Sequence, residues 1–264
     1  MLKFTKMHGL GNDYIFIYDE ENKLKNLNEL SLKLSNRNLY IGGDGIIIIS
    51  KSNIADYKMR IFNSDGSEAK MCGNGIRCVA KYLYDNKMIN NKLIKIETLS
   101  GIKDAEVFVD NNNKVSTVRI KMGKVEIKDT FNTILDSKLY QGYIVNVGNP
   151  HLVFFTCNKP EEEILKFGKT ISTNPKFQDG INVEFIRLVN DSLIEMSVYE
   201  RGTGITHSCG TGSTAAYFVA YKNGLVKNKG KVKLKYGYLQ IEIIDDKAYM
   251  AGKATTSYEG IIDI

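Results

Sequence analysis

The sequence predicts an α+β protein of two pseudo-symmetric lobes, each a strand-rich, barrel-like sheet around one central helix. Three observations predict this fold: an internal repeat, many short runs with strand periodicity, and one apolar helical run in each half. Alternation of apolar and polar residues is typical of strands, and a helix that is apolar on every side belongs in the middle of a domain. A chain of 264 residues is long enough for two such domains.

A duplicated pattern supports the two lobes. The motif Cys-Gly-x-Gly occurs at Cys72 and again at Cys209, 137 positions later (209 minus 72). We therefore expect a first lobe over residues 1–123, carrying Cys72, and a second over residues 124–264, carrying Cys209. Three further matches occur in the same order in both halves: Gly11-Asn12 with Gly148-Asn149, Asp44-Gly45-Ile46 with Asp179-Gly180-Ile181, and Tyr84 and Asn86 with Tyr221 and Asn223.

Periodicity also predicts individual elements. Leu27–Ser35 places leucines on one face of a helix. A counterpart should follow Pro160, since proline and acidic residues suit the first helical turn. The boundary between the lobes is expected within Gly123–Thr130. Strand-like runs are Tyr14–Tyr18, Gly45–Ser50, Tyr57–Phe62, Lys114–Met122, Tyr143–Phe155, Val183–Val189 and Leu193–Tyr199.

Composition argues against several classes of protein. Hydrophobic residues make up 43% of the chain, charged residues 25%, and the net charge is only +6, so nucleic acid is not an expected partner. The densest basic stretch runs from Lys227 to Lys235, and within it Lys231–Lys235 alternates like a strand with one solvated face. The sequence has neither a membrane-length apolar run nor a leader-like N-terminus, so we expect a cytoplasmic protein without a membrane partner. Four cysteines without C-x-x-C spacing and three histidines predict free thiols and no metal site.

The repeated cysteines lie where a helix is expected to begin. A helix N-terminus presents free N–H groups and a partial positive charge, so it favours a carboxylate and lowers the pKa of a nearby thiol. Glycines let a ligand approach the backbone closely. Two copies would supply two proton carriers, Cys72 and Cys209, one for each face of a substrate carbon. For Cys78 and Cys157 we expect only a small buried side chain.

Longer motifs resemble the diaminopimelate epimerase family. They run in order across nearly the whole chain: Phe4–Asp13, Phe62–Cys78, Gly148–His151, Gly180–Glu184, and Tyr199–Gly202 with Cys209–Gly212. The resemblance implies interconversion of LL- and meso-diaminopimelate without pyridoxal phosphate or a metal, at a site in the cleft between the lobes. It also implies a homodimer, and it leaves room for a last strand that crosses back to the first lobe.

The same resemblance implies roles for particular residues. Cys72 and Cys209 would carry the proton, and His151 and Glu200 would tune the thiols. Two positions depart from the family pattern: Gly45, where some members carry a substrate-contacting glutamine, and His207, before the second cysteine. The implied substrate-binding residues are Asn12, Asn63, Gly73, Asn74, Asn149, Asn182, Glu200, Arg201, Gly210 and Thr211.

Alternatives remain open at the level of sequence. A racemase of another amino acid, such as histidine, lanthionine or proline, would use the same paired cysteines. A noncatalytic amino-acid-binding module would not need two proton carriers, and a cysteine hydrolase would need only one nucleophile. Asn12, Asn149 and Asn182 could be turn residues, and Glu200 with Arg201 could be a solvated pair at a strand end.

Overall fold

A computed structural model describes residues 1–263. Ile264, the last residue of the predicted second lobe, lies outside the described residues. In chain order the elements are β1 (Leu2–Gly9), β2 (Asn12–Tyr18), α1 (Leu27–Leu34), β3 (Gly45–Lys51), β4 (Tyr57–Asn63), β5 (Glu68–Ala69), α2 (Gly73–Asp85), β6 (Leu93–Thr98), β7 (Gly101–Val109), β8 (Val115–Lys124), β9 (Glu126–Leu135), β10 (Lys138–Asn146), β11 (Pro150–Phe155), α3 (Pro160–Ser172), β12 (Asn182–Asn190), β13 (Leu193–Glu200), β14 (Gly204–Thr206), α4 (Gly210–Lys222), β15 (Lys229–Leu234), β16 (Gly237–Ile244), β17 (Lys247–Gly252) and β18 (Thr255–Ile262).

The chain divides into two compact units. The first contains Met1–Ile120 together with the C-terminal segment that begins at Gly252, and the second contains Lys121–Ala251. This division lies three residues before the predicted boundary at 123. It also assigns the segment from Gly252 to the first unit; the sequence prediction counted those residues in the second lobe but allowed the last strand to return to the first.

The first unit is a mixed sheet that begins with the end of the chain. Strand β18 pairs antiparallel with β1, which pairs antiparallel with β2, and β2 is parallel to β3. Strand β3 then pairs with β4, β4 is parallel to β6, and β6, β7 and β8 follow as an antiparallel meander. The short β5 adds to β4.

The second unit repeats this pattern strand for strand. Strands β9, β10 and β11 are antiparallel, and β11 is parallel to β12. Strand β12 pairs with β13, β13 takes the short β14 and is parallel to β15, and β15, β16 and β17 form the closing meander. The duplication read from the sequence is therefore a duplication of sheet topology, with β18 in the position that β9 occupies in the second unit.

Each unit has one helix that follows its Cys-Gly-x-Gly motif, as predicted. Helix α4 is buried from Gly212 to Ala220 and contacts β10, β11, β12, β13, β15 and β16, so the sheet of the second unit wraps around it. Helix α2 packs in the first unit against β1, β2 and β7. The repeated Asn86 and Asn223 cap these helices, and each donates from Nδ2 to the carbonyl four residues earlier, at 2.9 and 2.8 Å.

The structure corrects some of the predicted elements. The run Tyr143–Phe155 is two strands, because the backbone turns at Gly148, whose φ is +99°, and Asn146 Oδ1 accepts from Gly148 N–H at 2.8 Å. The expected boundary region Gly123–Thr130 is largely strand, in β8 and β9. Cys157 is exposed rather than buried. No helix among residues 1–263 has both the length and the apolar character needed to cross a bilayer.

Candidate active site

Both repeated cysteines are the N-cap residues of buried helices. Cys72 precedes α2, and its Sγ accepts the Gly75 N–H at 3.4 Å. Cys209 precedes α4, and its Sγ accepts the Gly212 N–H at 3.3 Å. A side-chain acceptor at this position satisfies one of the free N–H groups of the helix. Each sulfur therefore lies at the positive end of a helix, as the sequence predicted.

In the first unit, Asn12 holds the thiol of Cys72. Asn12 donates from Nδ2 to Asp44 Oδ2 at 2.7 Å, which fixes the orientation of its amide. Its Oδ1 then accepts from Asn74 Nδ2 at 3.1 Å and from the Cys72 thiol at 3.4 Å. Asn74 is fixed in turn because its Oδ1 accepts from the buried Arg77 guanidinium at 2.7 Å. Asn12 and Asn74 are thus interconnected at the Cys72 turn.

Tyr14 also lies at this turn, although sequence reasoning did not select it. Its pKa is raised well above the usual value, first by burial and then by the nearby Cys72 and Asp44, and its hydroxyl hydrogen-bonds with the side chains of Asn12 and Cys72. Asn12 and Tyr14 are two residues apart on β2, so they share one face of the strand. The two-residue spacing of Tyr14 from Asn12 is the feature of the sequence that could have identified Tyr14 as a site residue.

In the second unit, the environment of Cys209 shifts the pKa of its thiol in the direction opposite to the one expected from the sequence. We predicted a thiol pKa lowered by the helix N-terminus, but the pKa of Cys209 is raised well above its usual value. Burial is the largest cause, and the negative charges of Glu200 and Glu184 follow. Hydrogen bonds with Thr211 and with the Gly212 N–H oppose the shift without overcoming it. Burial and these two charges therefore favour the protonated form of Cys209.

Glu200 lies beside this thiol. Its carboxylate hydrogen-bonds with Cys209 and accepts from Thr206 Oγ1. The pKa of Glu200 is raised overall, because burial is the largest effect. The hydrogen bonds with Thr206 and Cys209 lower this pKa only in part. The solvated-pair interpretation of Glu200 is therefore wrong, because its side chain points into the Cys209 site.

His151 and Glu184 form a fully buried pair at the same site. His151 Nδ1 is 2.6 Å from Glu184 Oε1, and both side chains are 0% exposed. His151 Nε2 is 3.1 Å from Asn149 Oδ1, and Asn149 Nδ2 donates to Thr211 Oγ1 at 3.5 Å. Sequence reasoning did not select Glu184, although it shares a face of β12 with Asn182 two residues earlier.

Asn182 joins two loops of the second unit. Its Nδ2 donates to Pro150 O at 2.8 Å, and its Oδ1 accepts the Arg201 N–H at 3.0 Å. The Arg201 side chain is exposed, donates to Asp179 O at 3.3 Å, and helps to line a surface cavity of about 520 Å³ with Pro150 and Phe177. Asn149, His151, Glu200 and Thr211 are thus connected with Cys209 through side-chain contacts, whereas Asn182 holds the backbone at Pro150 and Arg201.

Asn63 and Gly45, two positions singled out from the sequence, have structural explanations in the first unit. Asn63 donates from Nδ2 to Ser67 Oγ at 3.0 Å, in the turn between β4 and β5. At Gly45 an added Cβ would lie 2.1 Å from Phe62 O, so this backbone has no room for the glutamine that some relatives carry. That close contact is a physical reason for the departure from the family pattern.

Solved structures of other proteins share this fold. The fold is similar to a phenazine biosynthesis protein of the PhzF family from Bacillus anthracis, with a TM-score of 0.77, 16% identity, and coverage of 100% of this chain and 99% of that one. It is also similar to a hydroxyproline epimerase from Agrobacterium vitis, with a TM-score of 0.75, 14% identity, and coverage of 98% and 91%. At these identities the likeness concerns the fold alone.

The sequence comparisons define the family. The sequence model of diaminopimelate epimerase matches residues 4–128 and 143–257. Diaminopimelate epimerase from Methanococcus maripaludis strain C6 is 44% identical, with coverage of 100% of each chain. The enzyme of that name from Bacillus subtilis strain 168 is 41% identical, with coverage of 98% of each. This chain belongs to the diaminopimelate epimerase family.

Proposed function

We propose that this protein interconverts LL- and meso-diaminopimelate, using Cys72 and Cys209 as its two proton carriers and neither pyridoxal phosphate nor a metal. It would serve lysine biosynthesis in the cytoplasm as a homodimer. Membership of the family over the full length of the chain supports the substrate. The observation that carries the mechanism is that two cysteines, in equivalent positions of a repeated topology, each cap a buried helix.

In the proposed reaction, one thiolate removes the proton from the α-carbon while the other thiol delivers a proton to the opposite face. One S–H bond forms, the other breaks, and the stereocentre inverts. The next turnover can run in the reverse direction, or the two sulfurs can re-equilibrate their protons. This scheme requires both sulfurs to reach one substrate carbon, and it requires that they never both ionise at once, so the pair should titrate jointly.

The protein must also stabilise the negative charge that builds up when the α-proton leaves. Backbone N–H groups at the starts of α2 and α4 provide donors for the substrate carboxylate, at Gly73 and Asn74 and at Gly210 and Thr211. Such donors are already oriented by the helices, so little reorganisation is needed as the charge develops. Glu200 accepts a hydrogen bond from Cys209 and can take its proton when that sulfur must act as the base.

The decisive experiment follows exchange of the α-proton. The purified protein is incubated in D₂O with LL-diaminopimelate, with meso-diaminopimelate and with a panel of other amino acids, and deuterium incorporation and stereochemistry are measured. We expect exchange and inversion only with diaminopimelate. Exchange of histidine, lanthionine or proline instead would establish a racemase of another amino acid.

Substitution of the cysteines tests the two-thiol scheme. Cys72→Ala and Cys209→Ala should each lower inversion by at least about 10²-fold, because general acid–base catalysis contributes roughly 10²–10⁴-fold per group. Cys157→Ala, at an exposed thiol, is the matched control and should retain normal turnover. Near-normal inversion by either active-site variant would exclude the scheme.

A further inference from the structure

Four polar side chains of the first unit form one chain of hydrogen bonds beside Cys72. Asn12 lies within it: its Nδ2 donates to Asp44 Oδ2 at 2.7 Å, and its Oδ1 accepts from Asn74 Nδ2 at 3.1 Å. Asn74 Oδ1 accepts in turn from Arg77 Nη2 at 2.7 Å. The chain therefore runs from Arg77 through two amides to Asp44. Cys72 joins it at Asn12 Oδ1, 3.4 Å from its sulfur.

The two ends of this chain determine its direction. A guanidinium only donates hydrogen bonds, so Asn74 must turn its oxygen toward Arg77 and its nitrogen toward Asn12. A carboxylate only accepts hydrogen bonds, so Asn12 must turn its nitrogen toward Asp44. Both ends require the same arrangement, in which the oxygen of Asn12 faces Cys72. With the Asn12 amide reversed, its nitrogen and the nitrogen of Asn74 would face each other, and neither could accept.

Asp44 is itself held by donors on both carboxylate oxygens. Its Oδ1 accepts from Arg37 Nη2 at 2.9 Å, and its Oδ2 accepts the Asp13 N–H at 3.0 Å in addition to the amide of Asn12. The backbone of Asp44 is fixed as well, because its N–H donates to Asp13 O at 2.7 Å and its carbonyl accepts the Ser64 N–H at 2.9 Å. The acceptor that orients Asn12 is therefore anchored independently of Asn12.

The equivalent asparagine of the second unit has the opposite orientation. Asn149 donates from Nδ2 to Thr211 Oγ1 at 3.5 Å, and its Oδ1 faces His151 Nε2 at 3.1 Å. Thr211 occupies the position of Asn74 in the repeated motif. The duplicated topology therefore does not determine which end of the amide faces the helix start. The local partners determine it, and in the first unit the partner that only accepts is Asp44.

We propose that Asp44 is a positioning residue for the proton carrier Cys72. Its carboxylate keeps the oxygen of Asn12 turned toward Cys72, and that oxygen holds the cysteine side chain in place. The inference rests on the proposed function, because it gives Asp44 a part in placing one of the two sulfurs. Displacement of a reacting group by about 1 Å can cost about 10²-fold in rate, so loss of the acceptor should lower turnover.

The first test separates the hydrogen-bond acceptor at position 44 from its negative charge. Asp44→Ala removes the acceptor, and its kcat with diaminopimelate should fall by at least about tenfold, while KM changes less than kcat. Asp44→Asn keeps an oxygen for Asn12 and should restore most of the lost kcat. Arg37→Ala is the matched control, because it removes the ion pair of Asp44 but leaves the acceptor, and it should retain a kcat similar to that of Asp44→Asn.

Two results of this comparison would overturn the proposal. One is an Asp44→Ala protein with the kcat of the wild type, since the acceptor would then be dispensable. The other is an Asp44→Asn protein as slow as Asp44→Ala, since the charge rather than the acceptor would then matter.

A second measurement needs neither activity nor a change at Asp44. Hydrogen exchange of the Asn12 side-chain amide is followed by NMR in the wild-type protein with labelled asparagine, and Asn12→Ala assigns the signal. We expect the Asn12 amide to exchange at least about tenfold more slowly than that of Asn112, which lies in an exposed turn. Exchange as fast as at Asn112 would overturn the proposal, even if Asp44→Ala does not fold.

The outcomes keep the two proposals apart. If the wild-type protein does not epimerise diaminopimelate, the proposed function fails, and the amide exchange still decides whether Asp44 holds Asn12. If the wild-type protein does epimerise diaminopimelate but its Asn12 amide exchanges freely, the function stands and the role of Asp44 is overturned.

Discussion

Gly212 illustrates how closely single residues are fitted around the second thiol. Its N–H donates to Cys209 Sγ, and its α-carbon faces Glu184 Oε1. Glycine inside a helix ordinarily costs about 0.5–1 kcal/mol relative to alanine. The sequence accepts that cost at a position where a methyl group would collide with the buried carboxylate of Glu184.

Gly212→Ala should therefore lower turnover while the protein stays folded. The added methyl group would displace the Glu184 carboxylate, and we expect at least a tenfold loss of activity with about 1–3 kcal/mol of destabilisation from overpacking. Steady-state kinetics and denaturant unfolding measure the two effects. Gly75→Ala is the equivalent change in the first unit, where the new Cβ meets the Cδ1 end of Ile47 at 2.6 Å. Because that methyl end can rotate, Gly75→Ala should lose less activity; equal losses would contradict the interpretation.

At the residue scale, the sequence predicted what is local and repeated. Cys72 and Cys209 were identifiable because both copies precede a helix and are followed by glycine. For Tyr14 and Glu184 the sequence offered only a two-residue spacing from Asn12 and Asn182, because which strand lies beside each thiol is decided by the fold. The direction of the Cys209 pKa was wrong for the same reason: the helix N-terminus is visible in the sequence, whereas burial and two neighbouring carboxylates are properties of the folded chain.

At the element scale, Gly230 lets strand β15 pack against helix α4. The hydroxyl of Tyr217, on α4, donates to Lys227 O at 2.9 Å just before this strand. A Cβ at Gly230 would lie 2.2 Å from the Tyr217 hydroxyl oxygen and 2.3 Å from Ser192 O. One of those contacts is with backbone and cannot move by rotation of a side chain, so the glycine is required for the strand to reach the helix.

Gly230→Ala should destabilise the second unit. To relieve the collision, β15 would have to move away from α4, which should cost about 1–3 kcal/mol of stability. The hydrogen bond from the Tyr217 hydroxyl to Lys227 O would also be weakened. Thermal and urea unfolding provide the measurement. Lys229→Ala, at the exposed neighbouring position, should change stability by no more than about 0.5 kcal/mol. A Gly230→Ala protein as stable as the wild type would refute the packing argument.

Elements were predicted better than their ends and connections. Helix α1 and strands β3, β4, β12 and β13 were found within about two residues because their apolar periodicity is strong. The run Tyr143–Phe155 is apolar on both sides of Gly148, so its pattern predicts a single strand. A glycine in an apolar run is compatible with either a strand or a turn, and only its positive φ decides.

For the whole molecule, buried groups with raised pKa values determine how stability responds to alkali. Burial raises the pKa of Cys78 from 9.0 to about 12, and raises the pKa of Tyr217 to about 12. Above pH 9 the unfolded chain releases the Cys78 proton while the folded chain retains it. The stabilisation from this thiol is therefore complete below pH 9 and is lost as the pH rises toward 12.

We expect the free energy of unfolding to fall between pH 9 and pH 10.5, by up to about 1.4 kcal/mol per pH unit for Cys78 alone. Urea unfolding at several pH values measures the slope. Cys78→Ala should flatten it, although the variant starts from a lower stability because a buried sulfur is lost. Cys157→Ala, at an exposed position, should leave the slope unchanged. An identical slope in all three proteins would contradict the assignment.

The pairing of β18 with β1 has a consequence for synthesis. The second unit is one uninterrupted stretch, Lys121–Ala251, whereas the sheet of the first unit includes Thr255–Ile262. A ribosome reading from the N-terminus releases every residue of the second unit before the partner strand of β1 exists. The half that is encoded first thus completes its folding last, and until then β1 keeps one unpaired hydrogen-bonding edge.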